Sequence, residues 1–136
     1  MPNVLIKKGL AEAVQFFIED IRQGNPMHIH LTYSELPLLE EQSSINIYRI
    51  LQEVVHNTIK HAGASRLAID INFNQDCLTV ITKDDGKGFD YEGAMKNNFG
   101  LGLRNLLSRT EMLGGKMFIE TKKGSGTTYI FEIPLK

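Results

Sequence analysis

The chain has 136 residues with 15 basic and 16 acidic side chains, and its one cysteine, Cys77, excludes an internal disulfide and fits a reducing compartment. This length suits one compact domain over residues 1–136, and the balanced charge argues against a nucleic-acid-binding module, which usually carries a basic excess. Because no apolar run approaches the roughly 20 residues that cross a bilayer and no secretory leader is visible, we expect a cytoplasmic domain that does not insert into a membrane, alone or as part of a larger protein.

The first half of the chain predicts two helices with a strand between them. Apolar residues recur at helical spacing over residues 5–22, and the segment 24–26, Gly-Asn-Pro, ends this helix. Residues 27–33 alternate between apolar and polar side chains, as in a half-buried strand. Residues 40–62 form the longest helix candidate. Its apolar side consists of Ile47, Leu51, Val54, Val55, Thr58 and Ala62.

The second half predicts mainly strands. Its elements in order are an antiparallel pair at 67–73 and 78–81, a glycine-rich loop with one short helical turn at 84–98, a helix from about 103 to 113, and two strands at 116–122 and 127–133. Helices and antiparallel strands in partly separate runs predict an α+β fold. We expect a two-layer sandwich, with a mixed, mostly antiparallel sheet of about five strands and three main helices on one face.

The long helix candidate also carries a polar side. Glu53, Asn57, Lys60 and His61 fall within a sector of roughly 100°. Most such faces are simply solvated, but these residue types could also line a site. The amide oxygen of Asn57 can ligate a hard cation, Lys60 can neutralise phosphate charge, and Glu53 can accept a proton.

A glycine-rich segment, Asp84-Asp85-Gly86-Lys87-Gly88-Phe89, directly follows a predicted strand. Gly86 and Gly88 allow backbone conformations that side chains would block, so a flat ring could lie close to the main chain. A carboxylate at the strand end, Asp84, could then accept a hydrogen bond from an exocyclic amine such as that of adenine. An ordinary Asp-Gly turn is the other interpretation of this segment.

A third motif, Phe99-Gly100-Leu101-Gly102-Leu103, opens the helix that follows. Free amides at a helix start, reached through small residues, bind anions and suit a polyphosphate. The chain has neither the Gly-x-x-x-x-Gly-Lys-Ser/Thr of a P-loop nor a strand–Gly-x-Gly-x-x-Gly–helix unit. Nucleotide binding, if present, therefore uses another architecture.

Taken in order, these motifs resemble the ATP-binding domain of the gyrase-like (GHKL) ATPase superfamily, which includes DNA gyrase, heat-shock chaperones, mismatch-repair proteins and sensor histidine kinases. Residues 53–60 match its N box, 84–89 its G1 box, 99–103 its G2 box, and Gly126-Thr127 its late Gly-Thr pair. The stretch from Tyr48 to Glu53 and the C-terminal end are most similar to the bacterial histidine kinases paired with helix-turn-helix response regulators. The resemblance implies the Bergerat-type ATP-binding fold.

The resemblance also implies residue roles. Asn57 would coordinate Mg²⁺ bridging the phosphates of ATP, and Asp84 would read the adenine. Glu53 stands where the ATP-hydrolysing relatives place a general base. The other implied nucleotide contacts are Lys60 and His61 to phosphate or sugar, Gly86 and Gly88 in the adenine pocket, Gly100, Leu101, Gly102 and Leu103 in the lid over the triphosphate, and Thr127 at the adenine.

The function implied is to bind ATP·Mg²⁺ and to donate the γ-phosphate to a histidine on the dimerisation domain of a two-component kinase, with a response regulator downstream. None of His28, His30, His56 and His61 has the helical context of that acceptor, so the chain is interpreted as the catalytic part without its acceptor. The parent protein could be membrane-anchored. Two alternatives stay open: a protein serine kinase of the anti-sigma-factor type, and a non-catalytic nucleotide-sensing module.

Overall fold

The computed structural model describes residues 9–96 and 98–135, with backbone only at residues 98 and 99. The first four residues of the helix predicted at 5–22 lie outside this range. In chain order the elements are α1 (Leu10–Gly24), β1 (His28–Tyr33), α2 (Glu41–Asn57), a π-helical turn (Thr58–Ala62), β2 (Arg66–Asn74), β3 (Cys77–Asp84), α3 (Tyr91–Ala94), α4 (Asn98–Met112), β4 (Lys116–Thr121) and β5 (Thr127–Pro134).

The five strands form one sheet in the order β1-β2-β3-β5-β4. β1 pairs with β2 in parallel, because α2 lies between them as a crossover, and the other three pairings are antiparallel. The predicted mixed, mostly antiparallel sheet is confirmed. In the central pair of strands, Asp84 stands opposite Thr127 and Thr82 stands opposite Tyr129.

The core lies between one face of this sheet and the helices α1, α2 and α4, which is the predicted two-layer α+β arrangement. Alternate residues of β3 and β5 are buried on the helix side, as the period of two in a strand requires. This face is apolar along most of its length and becomes polar at one end, where Asp84 and Thr127 are buried. None of the helices formed by the described residues is long and apolar enough to cross a bilayer.

The structure differs from the predicted helix at 40–62 near its end. The α-helix stops at Asn57 and continues as a π-helical turn, which Gly63 closes with a positive φ of 60°. The hydroxyl of Thr58 donates to the carbonyl of Val54 at 2.8 Å. A π turn changes the angular position of the side chains that follow it, and such turns are frequent at functional sites.

The G2 motif opens the third main helix, as predicted. The helix starts earlier than the expected residue 103, because α4 begins at residue 98 and includes both Gly100 and Gly102. The single helical turn expected within 84–98 is present as α3.

Candidate functional site

A cavity of about 440 Å³ opens at the polar end of the sheet, between the π turn and the segment that follows β3. Its volume is within the range of small-molecule sites. Its lining residues are Asn57, Thr58, His61, Ala62, Asp84, Lys87, Gly88, Phe89, Thr127 and Tyr129. Five of the predicted nucleotide-binding residues therefore surround one cavity: Asn57, His61, Asp84, Gly88 and Thr127.

Asp84 occupies the last position of β3 and is only 6% exposed. One carboxylate oxygen accepts a hydrogen bond from the backbone N–H of Gly86 at 2.8 Å. Burial raises the pKa of this carboxyl above its ordinary value, although the N–H groups of Gly86 and Thr127 favour the charged form. A carboxylate can accept about four hydrogen bonds. Asp84 therefore keeps acceptor capacity for a ligand in the cavity.

Asp85 serves the fold instead. Its carboxylate accepts hydrogen bonds from the N–H and the hydroxyl of Ser65, at 2.8 and 2.6 Å, and from the N–H of Arg66 at 2.9 Å. The Ser65 hydroxyl and these N–H groups lower the pKa of Asp85. This side chain joins the end of β3 to the start of β2, so only the first aspartate of the pair lines the cavity.

Two glycines allow the segments around the cavity to pack closely. Gly88 has a φ of +64°, and a Cβ there would lie 2.0 Å from the carbonyl oxygen of Lys122. Gly126 has a φ of +73°, and a Cβ there would lie 2.3 Å from the carbonyl oxygen of Asp84. Side chains at either position would displace the backbone that shapes the cavity, so Gly88 is a steric requirement of the site.

Thr127 connects the adjacent segments through its hydroxyl. It lies 2.9 Å from the hydroxyl of Thr121, which in turn accepts from the N–H of Phe89 at 3.1 Å. Tyr129 follows two positions later on the same face of β5, and burial with the nearby carboxylates of Asp84 and Glu53 raises the pKa of its hydroxyl. The tyrosine therefore stays a hydrogen-bond donor at neutral pH.

Asn57 is the last residue of α2 and is 7% exposed. Its Nδ2 has no hydrogen-bond partner, and among the described residues the only other buried side-chain nitrogen or oxygen in that condition is the hydroxyl oxygen of Thr82. Gly102 of α4 packs against the amide: a Cβ there would lie 3.0 Å from Asn57 Nδ2 and 3.2 Å from Glu53 Oε2. Buried polar groups are normally bonded, so this amide is available to a ligand.

The remaining predicted site residues lie outside the cavity lining. Glu53 is half-buried beside Asn57, and Lys60 is exposed on the π turn. Gly86 contacts the π turn, since a Cβ there would lie 2.4 Å from the carbonyl oxygen of Ala62. In α4, Gly100 is buried, Leu101 is exposed and Leu103 is a core residue. Their roles toward a nucleotide stay predictions.

Five lining residues were not among the predicted ligand contacts: Thr58, Ala62, Lys87, Phe89 and Tyr129. Thr58 and Ala62 were assigned to the apolar side of the helix, and in the structure both, at the two ends of the π turn, line the cavity. Lys87 and Phe89 lie within the glycine-rich motif. Tyr129 could have been found from strand alternation, because it shares a face of β5 with Thr127.

This combination of fold and site defines the class of protein. A family model described as histidine kinase-, DNA gyrase B- and HSP90-like ATPase matches residues 42–136. The chain belongs to this ATPase family, and the predicted resemblance is confirmed.

Individual relatives narrow the comparison within that family. The chain is 32% identical over 135 residues to the sensor histidine kinase ComP of Bacillus subtilis, an alignment that covers 98% of this chain and 18% of ComP. It is 41% identical over 95 residues to the signal transduction histidine-protein kinase/phosphatase DegS of Brevibacillus brevis, covering 70% of this chain and 24% of DegS. The chain thus spans a quarter or less of the length of these curated relatives.

A solved structure agrees with the fold. The histidine kinase AdeS of Acinetobacter baumannii superposes with a TM-score of 0.75 at 21% identity, over 95% of this chain and 64% of that one. At this identity the likeness concerns the fold alone.

Proposed function

We propose that the chain is the catalytic domain of a sensor histidine kinase, which binds ATP·Mg²⁺ and donates the γ-phosphate to a histidine on a dimerisation domain. The observation that carries the proposal is the pairing, in one cavity, of the buried Asp84 carboxylate with the unpartnered amide of Asn57. The carboxylate suits the adenine end of an adenine nucleotide, and the amide suits its phosphate end.

At the base end, Asp84 would accept from the exocyclic amine of adenine. Guanine presents a carbonyl oxygen at the corresponding ring position, which would face the carboxylate without a proton between them. The backbone at Gly88 and the side chain of Thr127 border the same space and would hold the flat ring. The raised pKa of the buried Asp84 carboxyl is consistent with a group whose charge a ligand donor would stabilise.

At the phosphate end, the residues present fit Mg²⁺ held by the nucleotide and one protein amide. Mg²⁺ prefers oxygen ligands and commonly takes one or two from the protein and the rest from phosphates and water. Asn57 would supply its amide oxygen, and its Nδ2 would find a phosphate oxygen as acceptor. When bound, the ion would neutralise charge on the phosphates.

Phosphoryl transfer depends mainly on positioning and charge neutralisation. Lys60 and His61, on the π turn, would contact phosphate or sugar, and the first turn of α4 with Gly100 and Gly102 would cover the triphosphate. The half-buried Glu53 carboxylate, next to Asn57, is our candidate base toward the accepting histidine. In the transfer, the bond between the γ-phosphorus and its bridging oxygen breaks, a phosphorus–nitrogen bond forms, and ADP leaves.

The partners follow from what the relatives are. ComP and DegS are named as histidine kinases, and the chain covers only a part of each. We infer that the dimerisation domain bearing the acceptor histidine belongs to the parent kinase and that a response regulator receives the phosphate. We place the domain on the cytoplasmic side, where ATP is available.

The test has two steps. Calorimetry with ATP, with and without Mg²⁺, should show binding that the ion strengthens. The purified domain should then phosphorylate, in trans, an added dimerisation domain of the parent kinase, and a control whose acceptor histidine is replaced by alanine should take up no label. Acid-labile label is expected for phosphohistidine. Acid-stable label would favour a serine kinase, nucleotide binding without transfer would favour a sensing module, and no uptake of ATP at millimolar concentration would reject the proposal.

A further inference from the structure

A polar group of four residues lies at the end of the central strands. Thr82 precedes Asp84 by two positions on β3, so both side chains face the helices. Their register partners on β5 are Tyr129 and Thr127, respectively. All four side chains are buried, and Thr82, at 1% exposure, is the deepest of them. Thr82 is one layer further from the open end of the sheet than Asp84.

The hydroxyl of Thr82 lacks a hydrogen-bond partner within the described part of the chain. Its three buried counterparts are bonded: Thr58 to the carbonyl of Val54, Thr110 to the carbonyl of Leu106, and Thr127 to the hydroxyl of Thr121. Valine would have the same shape as threonine and no hydroxyl to satisfy. Since buried hydroxyls are normally bonded to protein or to ordered water, the Thr82 hydroxyl is expected to have a partner outside the protein chain.

The neighbours of Thr82 indicate where that partner lies. Asp84, next on the same strand face, and Tyr129, opposite in register, both line the cavity. The protein donors to the Asp84 carboxylate are backbone N–H groups of Gly86 and Thr127, which belong to the segments after β3 and at the start of β5. A further donor, approaching from the side of Thr82, would complete the set of hydrogen bonds that fixes the orientation of this carboxylate. A hydroxyl can accept one hydrogen bond while donating another, so it can hold a water molecule there.

We propose that Thr82 is a positioning residue for base recognition: through one buried water, its hydroxyl holds the Asp84 carboxylate in the orientation that accepts from the adenine amine. The inference rests on the proposed role of Asp84 at the base. It adds a residue that no ligand touches, and it explains why one of the two unpartnered buried groups stands beneath the site while the other, Asn57, stands in its wall.

The test compares Thr82→Val with Thr82→Ser and with a matched control, Thr79→Val. Thr79 lies on the same strand but on its other face, and it is half-buried. ADP and GDP are titrated without Mg²⁺, so that the base end dominates. We expect Thr82→Val to raise the Kd for ADP about tenfold, equivalent to about 1.4 kcal/mol, and to narrow the preference for ADP over GDP. Thr82→Ser and Thr79→Val should bind like the unmodified chain.

Thermal unfolding of the ligand-free variants separates this role from a structural one. Thr82→Val should lower Tm less than Thr110→Val, because it removes a water-mediated bond and keeps the side-chain volume, whereas Thr110→Val removes a direct protein hydrogen bond. Unchanged ADP affinity in Thr82→Val, equal weakening in Thr82→Ser or Thr79→Val, or a Tm loss in Thr82→Val as large as that in Thr110→Val would each overturn the inference while the proposed function stands. If the unmodified chain binds no ADP, the proposed function fails and this inference fails with it.

Discussion

Asp84 and Asp85 are adjacent in sequence and opposite in physical character. Asp84 is buried at the cavity, and burial raises the pKa of its carboxyl. Asp85 is exposed, accepts three hydrogen bonds from Ser65 and Arg66, and has a lowered pKa. The second carboxylate is satisfied by the protein itself, whereas the first keeps acceptor capacity toward the cavity, where we propose that adenine binds.

The same contrast recurs in the two buried asparagines of α2. Asn46, 4% exposed, accepts a hydrogen bond from Arg109 at 3.3 Å and so links α2 to α4. Asn57, at the end of the same helix, has an amide nitrogen with no partner among the residues that the structure describes. Among the described residues, the two buried side-chain groups without a hydrogen-bond partner are Asn57, in the cavity wall, and Thr82, beside Asp84 on the same face of β3. Substituting both members of each pair tests this contrast.

The largest effect is expected at Asn57. Asn57→Ala should remove the Mg²⁺-dependent part of ATP binding and weaken affinity by about 100-fold, because the only proposed protein ligand of the ion is lost. Asn46→Ala is the matched control: it should lower the free energy of unfolding, since Arg109 loses its acceptor, and leave the Mg²⁺ effect intact. Calorimetry with and without the ion measures both. A Mg²⁺ effect that survives in Asn57→Ala would contradict the metal assignment.

The next largest effect concerns recognition of the nucleotide base, adenine or guanine. Asp84→Asn should reduce the preference for ATP over GTP by about tenfold or more, because an amide can donate to the guanine carbonyl where the carboxylate can only accept. Asp85→Asn changes the same residue type one position later and should keep the preference. Competition titration with the two nucleotides gives the ratio directly. Equal discrimination in Asp84→Asn and the unmodified chain would refute the assignment of adenine to this carboxylate.

Much of this arrangement could be predicted from the chain. Strand alternation and helical spacing led to the correct elements, and the motif positions of Asn57, Asp84 and Thr127 led to the cavity. That Asp84 and not Asp85 lines the cavity agrees with strand alternation, which leaves only one of two neighbours on the helix side.

The other features of the site could not be predicted from the periodicity of the sequence. Lys60 lies on the π turn and is not part of the cavity lining, although an ideal helix puts it on the polar side. Burial of Asn57 itself requires the approach of Gly102 from a helix far along the chain. Thr82 occupies a position that the alternation pattern assigns to the apolar core, and only its neighbours in three dimensions reveal an unmatched hydroxyl.

A smaller effect is expected in how the stability of the two aspartate variants depends on pH. Asp84 has a raised pKa in the fold, so its favourable contribution is present below the ordinary carboxyl pKa of 3.8 and is lost as pH rises through the raised value. Asp84→Asn should therefore stabilise the ligand-free domain more at about pH 7 than at about pH 4. Asp85 has a lowered pKa, so its contribution is present above 3.8 and is lost at lower pH.

Thermal unfolding of the two variants relative to the unmodified chain checks this opposition. Asp85→Asn should lower Tm at neutral pH, and the deficit should shrink as the pH falls below about 4, because the unmodified carboxylate is then protonated as well. The other titrating groups cancel in the difference. Parallel pH profiles for the two variants would mean that the aspartates do not differ as their surroundings indicate.

The smallest effect separates satisfied from unsatisfied threonines. Thr110, fully buried in α4, donates to the carbonyl of Leu106 at 2.7 Å, whereas the Thr82 hydroxyl has no partner among the described residues. Thr110→Val should cost about 1 kcal/mol of the free energy of unfolding in urea, the usual net value of one hydrogen bond, and Thr82→Val, which removes only a water-mediated bond, should cost clearly less in the ligand-free domain. Equal losses would show that the Thr82 hydroxyl stabilises the fold as the Thr110 hydroxyl does. The distinction between polar groups that stabilise the fold and those that face the ligand would then hold for the aspartates and the asparagines, but not for the threonines.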